Sequence, residues 1–501
     1  MPQTVIIIGA GISGLSVGSY LQMNGFATEI FEMHDQPGGL CTAWDRKGYT
    51  FDSCIHWLIG SSPGTNMHEM WRELHALEGT GVVEWDEYAR VRVSSGETFT
   101  VFTDPTRLEQ EMLRLAPEDG EPIRALCDAI RAFSRLDMPV TTEKLRPLEL
   151  AGMSLRFALK MPVLRKWGSV NLETFCAGLK CRALGEALGA LYGSEGSMPD
   201  LPMTALVMML AFMHKKSNGY PLGGSRRFAR AIEARYVGLG GRIHYRSRVD
   251  RILVENDRAV GIFAGGQEHR AEEVISCADG HATIFEMLEG RYLNPRIREA
   301  YESYSLFPSL IYVGLGIGKD MRDIPSMQYF PLSRPIILEQ GARRLNRLGV
   351  RLFSFDPTMA PAGKTAAVVS IDTRNFTYWS TLRAESPGDY RREKIRIGEA
   401  VVEAVDEELG DIRRFVEVVD VATPATWHRY TGNWKGSYEG FLPTRTTMMK
   451  DLPSALPGLA NFSMHGQWVT VGGGLPPAAM GGRTLAKALC KKYGKRFVAS
   501  T

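Results

Sequence analysis

The chain opens with a change of hydrophobic pattern. A β-branched apolar run, Val5 to Ile8, ends at Gly9, and apolar residues at helical spacing follow from Leu15 to Met23. This order predicts a strand, a tight turn and a helix. A second apolar run, Thr28 to Phe31, predicts the next strand, with Glu32 at its end. The first 32 residues therefore read as the start of a βαβ unit.

The turn between these elements has the spacing of a dinucleotide-binding loop. Gly9 permits the turn, Gly11 allows close approach of a pyrophosphate, and Gly14 allows close packing of helix on strand. The phosphates would lie at the helix N-terminus, where free N–H groups favour anions. Glu32 is placed to accept the ribose hydroxyls and to repel a 2′-phosphate. The alternative is a purely structural turn.

A second glycine pair follows the acidic residue, at Gly38 and Gly39. Without a Cβ, such a pair lets the backbone approach a ligand a second time. The combined spacing resembles the flavoprotein family that includes amine oxidases, phytoene desaturases and GDP-dissociation inhibitors. The resemblance implies FAD rather than NAD as the cofactor.

Three distant segments carry the same resemblance. The helix and strands after Asn218 and the turn at Ala278 resemble carotenoid desaturases and isomerases. Near the C-terminus, His-Gly-Gln and Gly472 to Gly474 resemble the closing flavin motif, where a helix from Leu475 directs its positive end at the flavin. The residues that the resemblance assigns to FAD are Gly9, Gly11, Ser13, Gly14, Glu32, Gly38, Gly39, Leu40, Val249, Ala278, Asp279, Gly466, Gln467, Gly473, Gly474 and Leu475.

The segment Gly48 to Gly60 points to one branch of that family. Phytoene desaturases are similar up to Phe51-Asp52, whereas the following His56-Trp57 looks more like the retinol saturase side. Cys54 stands where that group has glycine, which departs from the match. His56 is thus a candidate catalytic residue near the flavin, with a structural histidine as the alternative.

A second catalytic candidate is Glu439. The segment Thr423 to Thr444 resembles the substrate-side wall of the flavin, and many relatives have an aromatic residue where Glu439 stands. A carboxyl group in an apolar cavity has a raised pKa and can exchange a proton with an alkene carbon. The alternative is an exposed carboxylate in a glycine-rich loop.

The resemblance implies an α/β fold: a Rossmann-like FAD-binding domain with an inserted α+β substrate domain and a helical lid. The FAD-binding domain is predicted to be discontinuous, over residues 1–79, 216–294 and 445–501. Residues 80–215 have mostly helical periodicity and are predicted to form the lid. Residues 295–444 are predicted to form the sheet part, with strands such as SLIYVGLGI and AAVVSID and a helix over Arg391 to Leu409.

Composition and charge argue against several classes of function. The net charge of +3 over 501 residues argues against a nucleic-acid partner. The seven cysteines include no CxxC pair, so neither a metal site nor a disulfide framework is expected. The first strand leaves no room for a signal peptide, which predicts a cytoplasmic protein. The longest apolar run, Leu201 to Met213, has 13 residues, and a membrane-spanning helix needs about 20.

One stretch suggests contact with a membrane surface. Lys144 to Gly168 interleaves basic with apolar residues, including Arg156, Lys160 and Lys166. Such a helix can lie in the membrane interface, which would place the protein peripherally on the inner face of the cytoplasmic membrane. A helix with a solvated basic face is the equal alternative.

The leading hypothesis is a flavoenzyme of the phytoene desaturase, carotenoid isomerase and retinol saturase group. Hydride exchange at flavin N5 would saturate, isomerise or desaturate a long apolar polyene, with His56-Trp57 favouring the first two. One alternative is a flavin amine oxidase, with Trp434 and Tyr438 in its aromatic cage. Another is a non-enzymatic prenyl- or lipid-binding protein of the GDP-dissociation-inhibitor type. The electron partner is left open among a quinone, NAD(P)H and oxygen.

Overall fold

The computed structural model describes residues 2–137, 140, 147–192, 197–448 and 450–499. Its strands are β1 (Thr4–Ile8), β2 (Ala27–Phe31), β3 (Ala43–Arg46), β4 (Tyr49–Asp52), β5 (Leu58–Ile59), β6 (Val82–Val83), β7 (Glu87–Arg92), β8 (Thr98–Phe102), β9 (Asn218–Pro221), β10 (Arg242–His244), β11 (Val249–Glu255), β12 (Arg258–Ala264), β13 (Gln267–Arg270), β14 (Glu273–Ser276), β15 (Ser309–Ile317), β16 (Met327–Leu338), β17 (Arg343–Leu352), β18 (Thr365–Thr373), β19 (Val416–Ala422) and β20 (Phe462–Met464).

Among the described residues, six α-helices follow one another between β8 and β9, and the others lie between strands or after the last strand. They are α1 (Ile12–Met23), α2 (Asn66–Glu73), α3 (Pro105–Leu115), α4 (Gly120–Phe133), α5 (Pro147–Gly168), α6 (Leu172–Ala177), α7 (Arg182–Gly189), α8 (Met203–His214), α9 (Gly224–Gly238), α10 (Pro295–Ser303), α11 (Phe376–Glu385), α12 (Pro387–Leu409), α13 (Pro424–Thr431) and α14 (Leu475–Lys492).

A five-stranded parallel sheet, in the order β10-β2-β1-β14-β20, forms the first layer. Val5 of β1 lies opposite Thr28 of β2 and Glu273 of β14. The apolar residues of β1 are buried on both faces, as a parallel sheet requires. Helices α1, α9 and α14 cover one face, and the antiparallel meander β11–β13 covers the other. The predicted strand, turn and helix are confirmed.

Small residues bring these helices into close contact. A Cβ at Gly18 of α1 would lie 2.6 Å from the ring of Tyr236 on α9. A Cβ at Gly482 of α14 would lie 2.7 Å from Oγ of Ser16, whose hydroxyl donates to the carbonyl of Ala479 at 2.9 Å. The three helices are therefore held at backbone distance, and α1 is fixed relative to the sheet.

A seven-stranded sheet, in the order β19-β15-β18-β17-β16-β7-β8, forms the second large layer. Its pairs are antiparallel except for β16 with β7. One face packs on α11 and α12 in an apolar core. The opposite face lines a large cavity through Tyr329, Arg347 and Arg351. The predicted strands at 309–317 and 366–372 and the helix ending at Leu409 are confirmed.

Two glycines of β15 explain a glycine-rich stretch that could be mistaken for a second nucleotide loop. A Cβ at Gly314 or Gly316 would lie 2.6 Å from the ring of Phe51 or Tyr49, respectively. Both rings belong to β4, so the glycines let the seven-stranded sheet pack directly on the β3–β4 hairpin. The two glycines therefore serve the packing of the sheet on the hairpin.

Helices α3 to α8 pack together with β7 and β8 around one apolar core. The prediction of a mostly helical segment over 80–215 is wrong for its first part, because residues 82–102 contain β6, β7 and β8. These strands are short, and β7 and β8 extend the seven-stranded sheet. Pairing with a strand more than 200 residues away cannot be inferred from local periodicity.

Within the described ranges, no helix combines the length and apolarity needed to cross a bilayer. The basic stretch from Lys144 falls partly on residues 141–146, which lie outside the described residues. Its remainder forms α5, which carries two strongly exposed leucines, Leu155 at 61% and Leu159 at 67% exposure. The Arg156 side chain also lies outside the described set.

Candidate active site

The first wall of the site is the turn between β1 and α1. Gly9 has a φ of +95°, and a Cβ there would lie 3.3 Å from the backbone of Cys277 and Ala278. A Cβ at Gly14 would lie 2.0 Å from the carbonyl oxygen of Gly9. The first intrahelical hydrogen bond runs from Leu15 N to Gly11 O. The N–H groups of residues 12–14 precede it and are available to an anion.

A second glycine loop lies against the first. Gly38 donates its N–H to the carbonyl of Ala10 at 2.8 Å and forms a parallel bridge with Gly11. Its φ is +109°, and a Cβ would lie 2.2 Å from the carbonyl oxygen of Cys41. Both loops thus present bare backbone to the same space.

Glu32 lies where β2 ends. Its carboxylate accepts hydrogen bonds from the N–H groups of Ala10, at 2.7 Å, and His34, at 2.8 Å. Burial raises the pKa of Glu32, and these two donors oppose the shift. Each oxygen keeps a further lone pair. The acidic side chain is fixed at the edge of the cavity, and its predicted contact with a ribose stays a prediction.

The third wall comes from the C-terminal segment. Gly474 precedes α14 with a φ of +91° and no side-chain cap. Pro476 and Pro477 follow, so they remove two N–H groups from the first turn. The N–H groups of Gly474 and Leu475 donate to no backbone carbonyl among the described residues. Gly466 faces the opening turn, since a Cβ there would lie 3.6 Å from Oγ of Ser13.

These walls enclose one cavity of about 2330 Å³. Ordinary ligand pockets measure roughly 300–1,000 Å³, so this space can hold a dinucleotide together with a long substrate. Every predicted site residue except Gly14 lines it. Gly14 contributes to helix–strand packing, as the spacing suggests. Beyond the glycine turns the lining is largely apolar, with Leu201, Phe212 and Phe307 among its members.

Glu439 is a buried acid of this cavity. A Cβ at Gly474 would lie 2.9 Å from its Oε1, so the carboxyl group is beside the start of α14. It has neither a hydrogen-bond donor nor a cation as partner among the described residues. Burial raises the pKa of Glu439 to about 8. The side chain therefore holds a proton at neutral pH and can give it up to a bound molecule.

His56 lines the same cavity but has a different electrostatic setting. Its carbonyl oxygen accepts a hydrogen bond from Nη2 of Arg351 at 2.9 Å. Burial, followed by the nearby Arg351 charge, lowers the pKa of the imidazole to about 3. The ring is neutral at pH 7, which suits packing or hydrogen bonding better than proton delivery.

Comparison with known proteins agrees with this architecture. The sequence profile of an NAD(P)-binding Rossmann-like domain matches residues 7–74. The chain is 26% identical to a 4,4′-diapophytoene desaturase of Methylomonas over 98% of this chain and 96% of the relative. It is 23% identical to a carrot (Daucus carota) chloroplast prolycopene isomerase, covering 88% of this chain and 72% of the relative. It is also 22% identical to a zebrafish (Danio rerio) all-trans-retinol 13,14-reductase, covering 87% and 77%.

The chain is a relative of the phytoene desaturases, carotenoid isomerases and retinol saturases. Solved structures share its fold. An oxidoreductase from Methanosarcina mazei aligns with a TM-score of 0.60 at 20% identity, covering 97% of this chain and all of the other. Cyclohexylamine oxidase from Brevibacterium oxydans aligns with a TM-score of 0.58 at 14% identity, covering 99% and 100%. The α/β class with a Rossmann-like domain is confirmed.

Two residues predicted to contact FAD, Asp279 and Gln467, form hydrogen bonds within the protein. Asp279 accepts the N–H groups of Ala282 and Trp434, both at 2.8 Å, and burial raises its pKa to about 7. Gln467 donates to the side-chain oxygen of Asn433 at 3.1 Å. Both residues fix the 433–434 loop at the cavity edge.

The aromatic pair of the amine oxidase alternative does not form a cage. The Trp434 ring stacks on His281 at 4.9 Å and is not part of the cavity lining, whereas Tyr438 lines the cavity beside Phe307. A cage needs both rings to face one substrate position. The structure thus gives the amine oxidase alternative no support from these two residues.

Several cavity residues were missed by sequence reasoning, notably Arg351, Tyr329 and Tyr88. Arg351 belongs to a strand with arginines at 343, 344 and 347, a composition typical of a solvated strand. Only its alternation with buried residues such as Val350 and Leu352 marks it as one face of a sheet. Neither feature tells which face meets a cavity.

Proposed function

We propose that the protein is an FAD-dependent oxidoreductase that acts on carbon–carbon double bonds of a long apolar polyene, by saturation, isomerisation or desaturation. The observation that supports it most directly is the position of Glu439. This acid has no partner among the described residues, holds a proton at neutral pH, and lies beside the start of α14 in the cavity that the glycine turns share with the apolar lining. The relatives named for diapophytoene, prolycopene and retinol act on molecules of that kind.

The residues present fit FAD. The Ser13 hydroxyl is buried without a hydrogen-bond partner of normal geometry among the described residues, beside the Cys277 thiol. A Cβ at Gly11 would have its nearest neighbour at 4.0 Å, so the backbone there borders open space. Gly9 to Gly14 would hold the pyrophosphate, Glu32 the ribose, and the start of α14 the flavin end. When bound, FAD supplies two-electron redox chemistry at the substrate.

The chain's own residues would supply orientation and a proton. The apolar wall would hold the polyene in an extended pose and exclude water from the reacting bond. Glu439 would deliver a proton from its carboxyl group to one alkene carbon, because its raised pKa keeps that proton in place at pH 7. His56 would remain neutral and form part of the cavity lining.

The test is a spectrum followed by a turnover experiment. The purified protein should show bound yellow FAD, which is reduced anaerobically and mixed with retinol, a carotene or an unsaturated fatty acid. Reoxidation with a product two mass units heavier indicates a saturase, and an unchanged mass with altered retention indicates an isomerase. Bleaching of oxidised flavin by a polyene indicates a desaturase. Absence of bound flavin after reconstitution would overturn the proposal.

We also propose that α5 contacts a membrane surface, from which an apolar substrate would enter. Leu155 and Leu159 are four residues apart on one helix and strongly exposed, with the basic Arg165 and Lys166 exposed nearby. Co-sedimentation with vesicles of anionic lipid should fall several-fold for L155E/L159E, while V237E, at an exposed site on α9, should leave it unchanged. Equal sedimentation of all three proteins would overturn the membrane contact.

A further inference from the structure

One part of the cavity wall is polar, and the proposed function gives it no role. It lies on the inner face of the seven-stranded sheet, where β17, β16 and β7 contribute Arg351, Tyr329 and Tyr88. Together these three residues form what we call the polar wall. The side chains come from neighbouring strands in the sheet, so their relative placement is set by the sheet rather than by a loop.

Arg351 is a buried cation that has no counter-ion within the described part of the chain. Its exposure is 6%, and no carboxylate lies within ion-pair distance of it in the described part of the chain. Its hydrogen bond is to the carbonyl of His56. Four aromatic rings surround the guanidinium at 5.2–5.9 Å, those of Trp85, Tyr220, Phe353 and Phe355. Cation–π contacts offset part of the desolvation cost of a buried charge, and an anion would offset the rest.

The two tyrosines add donors beside this cation. Neither Tyr88 nor Tyr329 has a hydrogen-bond partner for its hydroxyl among the described residues. The Tyr329 ring lies across β17 because its cross-strand neighbour is Gly349, where a Cβ would be 2.6 Å from the ring. Burial raises the pKa of Tyr88 to about 12 and that of Tyr329 as well. Both hydroxyls therefore remain donors at neutral pH.

Two acids near the polar wall already have partners. Asp52 accepts from the N–H of Ser225 at 2.7 Å and from the Tyr220 hydroxyl at 3.2 Å, and it does not line the cavity. Asp372 lines the cavity and accepts from the Ser197 hydroxyl at 2.8 Å. The polar wall is thus left with one fixed positive charge and two donors that face the cavity.

We propose that Arg351, Tyr88 and Tyr329 bind the carboxylate of an amphiphilic substrate, namely a polyene chain that ends in a carboxylic acid. This assignment rests on the proposed function for the chemistry of the chain. A guanidinium fork and two phenolic donors match the planar oxygens of a carboxylate. The polar wall and Glu439 line the same cavity, so an anchored head group would set which double bond lies near Glu439.

The test measures binding without turnover. cis-Parinaric acid and its methyl ester share one polyene chain and differ in charge at pH 8. Their binding is followed by calorimetry, with the protein as purified and again after reconstitution with FAD. The wild type should bind the acid about 10- to 100-fold more tightly than the ester, as a hydrogen-bonded charge requires. R351M should abolish this preference while changing ester binding less than about threefold. Y329F and Y88F, which remove only a hydroxyl, should each reduce the preference several-fold.

Arg347 provides the matched control. It lies on the same strand and lines the same cavity, but it pairs with Glu186 at 3.3 Å and donates to the carbonyl of Arg92. R347M should therefore keep the preference for the acid. Equal binding of acid and ester by the wild type would overturn the carboxylate site. The carboxylate site would also be overturned if R351M weakened the binding of acid and ester equally while Y329F and Y88F kept the wild-type preference for the acid.

The two proposals fail separately. A protein that retains no FAD but still prefers the acid would reject the redox function and leave the carboxylate site standing. A protein with bound FAD that is reoxidised by retinol, yet binds acid and ester alike, would reject only the carboxylate site.

Discussion

The two ends of the cavity are built by opposite means. The nucleotide end consists of bare backbone: Gly9, Gly38 and Gly474 all have positive φ, and a Cβ would lie 3.3, 2.2 and 2.9 Å, respectively, from its nearest neighbour. At the substrate end, large side chains from separate strands project inward, and Arg351 and Tyr329 are examples. Under the two proposals, the first end would bind FAD through the main chain and the second would bind the substrate through side chains.

This difference sets what each end can tolerate. A backbone cradle recognises a shape that many proteins share, so its spacing is visible in the sequence. A side-chain wall can change its specificity by single substitutions without loss of the fold. Glu32 and Glu439 illustrate the contrast, since two N–H groups hold Glu32 whereas Glu439 has no partner among the described residues.

The largest effect is expected from G14A at the nucleotide end. A Cβ there would lie 2.0 Å from a carbonyl oxygen, so the turn must open and FAD binding should be lost. The readouts are the FAD-to-protein ratio and the midpoint of urea unfolding. G11A is the matched variant, because its Cβ meets no protein atom closer than 4.0 Å. Its free energy of unfolding should lie within about 0.5 kcal/mol of the wild-type value. It should nevertheless bind FAD more weakly than the wild type. Full FAD affinity in G11A would contradict a backbone cradle.

The next effect concerns the acid at the substrate end. E439Q should lower kcat about 100- to 10,000-fold and retain FAD. Because the raised pKa of Glu439 is about 8, the acid is protonated below that value, and wild-type activity should fall as pH rises through it. E439Q should lack this decrease of activity with rising pH. E286Q, at an exposed acid of the cavity rim that lies 3.8 Å from Arg248, should behave as the wild type. If the activity of E439Q still decreased over the same pH range, another group would be the proton donor.

A glycine remote from the nucleotide end should act on stability alone. G314A places a Cβ 2.6 Å from the Phe51 ring, and overpacking of this kind costs about 1–3 kcal/mol. Urea unfolding of the FAD-loaded protein measures it, with the FAD ratio unchanged. G388A, in the first turn of α12 with its nearest contact at 3.6 Å, should be neutral or stabilising by up to about 1 kcal/mol. Loss of FAD in G314A would show that the two ends are not separate.

The smallest effect is expected from H56Q. The pKa of His56 is lowered to about 3, so the ring does not titrate between pH 5 and 8. The variant should change kcat less than about tenfold and leave the shape of the pH profile intact, in contrast to a proton-transfer group. Steady-state rates across this pH range are the measurement. A loss comparable to that of E439Q would move His56 into the proton-transfer machinery.

Sequence reasoning reached the nucleotide end because its elements are local. Strand, glycine turn and helix follow one another within residues 4–23, and Glu32 comes directly after the next strand. Gly38, Gly466 and Gly474 were found through resemblance, and all three line the cavity. Glu439 was also placed at the cavity, because the loop that carries it has a family pattern. Its role in proton transfer stays a prediction.

The substrate end was largely out of reach for a physical reason. Arg351, Tyr329 and Tyr88 become neighbours only when β7 pairs in parallel with β16, a register between strands more than 200 residues apart. Local composition favoured a helix over the segment that contains β7. Non-local pairing overrides such preferences, so this wall appears only in three dimensions.

The close contact of α1 with α14 has a consequence for the order of folding. Ser16 bonds to Ala479, 463 positions later, and β20 completes the sheet that β1 begins. During synthesis, β1 must wait until β20 and α14 have been made before its layer closes. Contacts of such long sequence separation form slowly. Under the proposed function, FAD capture would therefore wait for these late elements, and products that stall before them would emerge without the complete pocket.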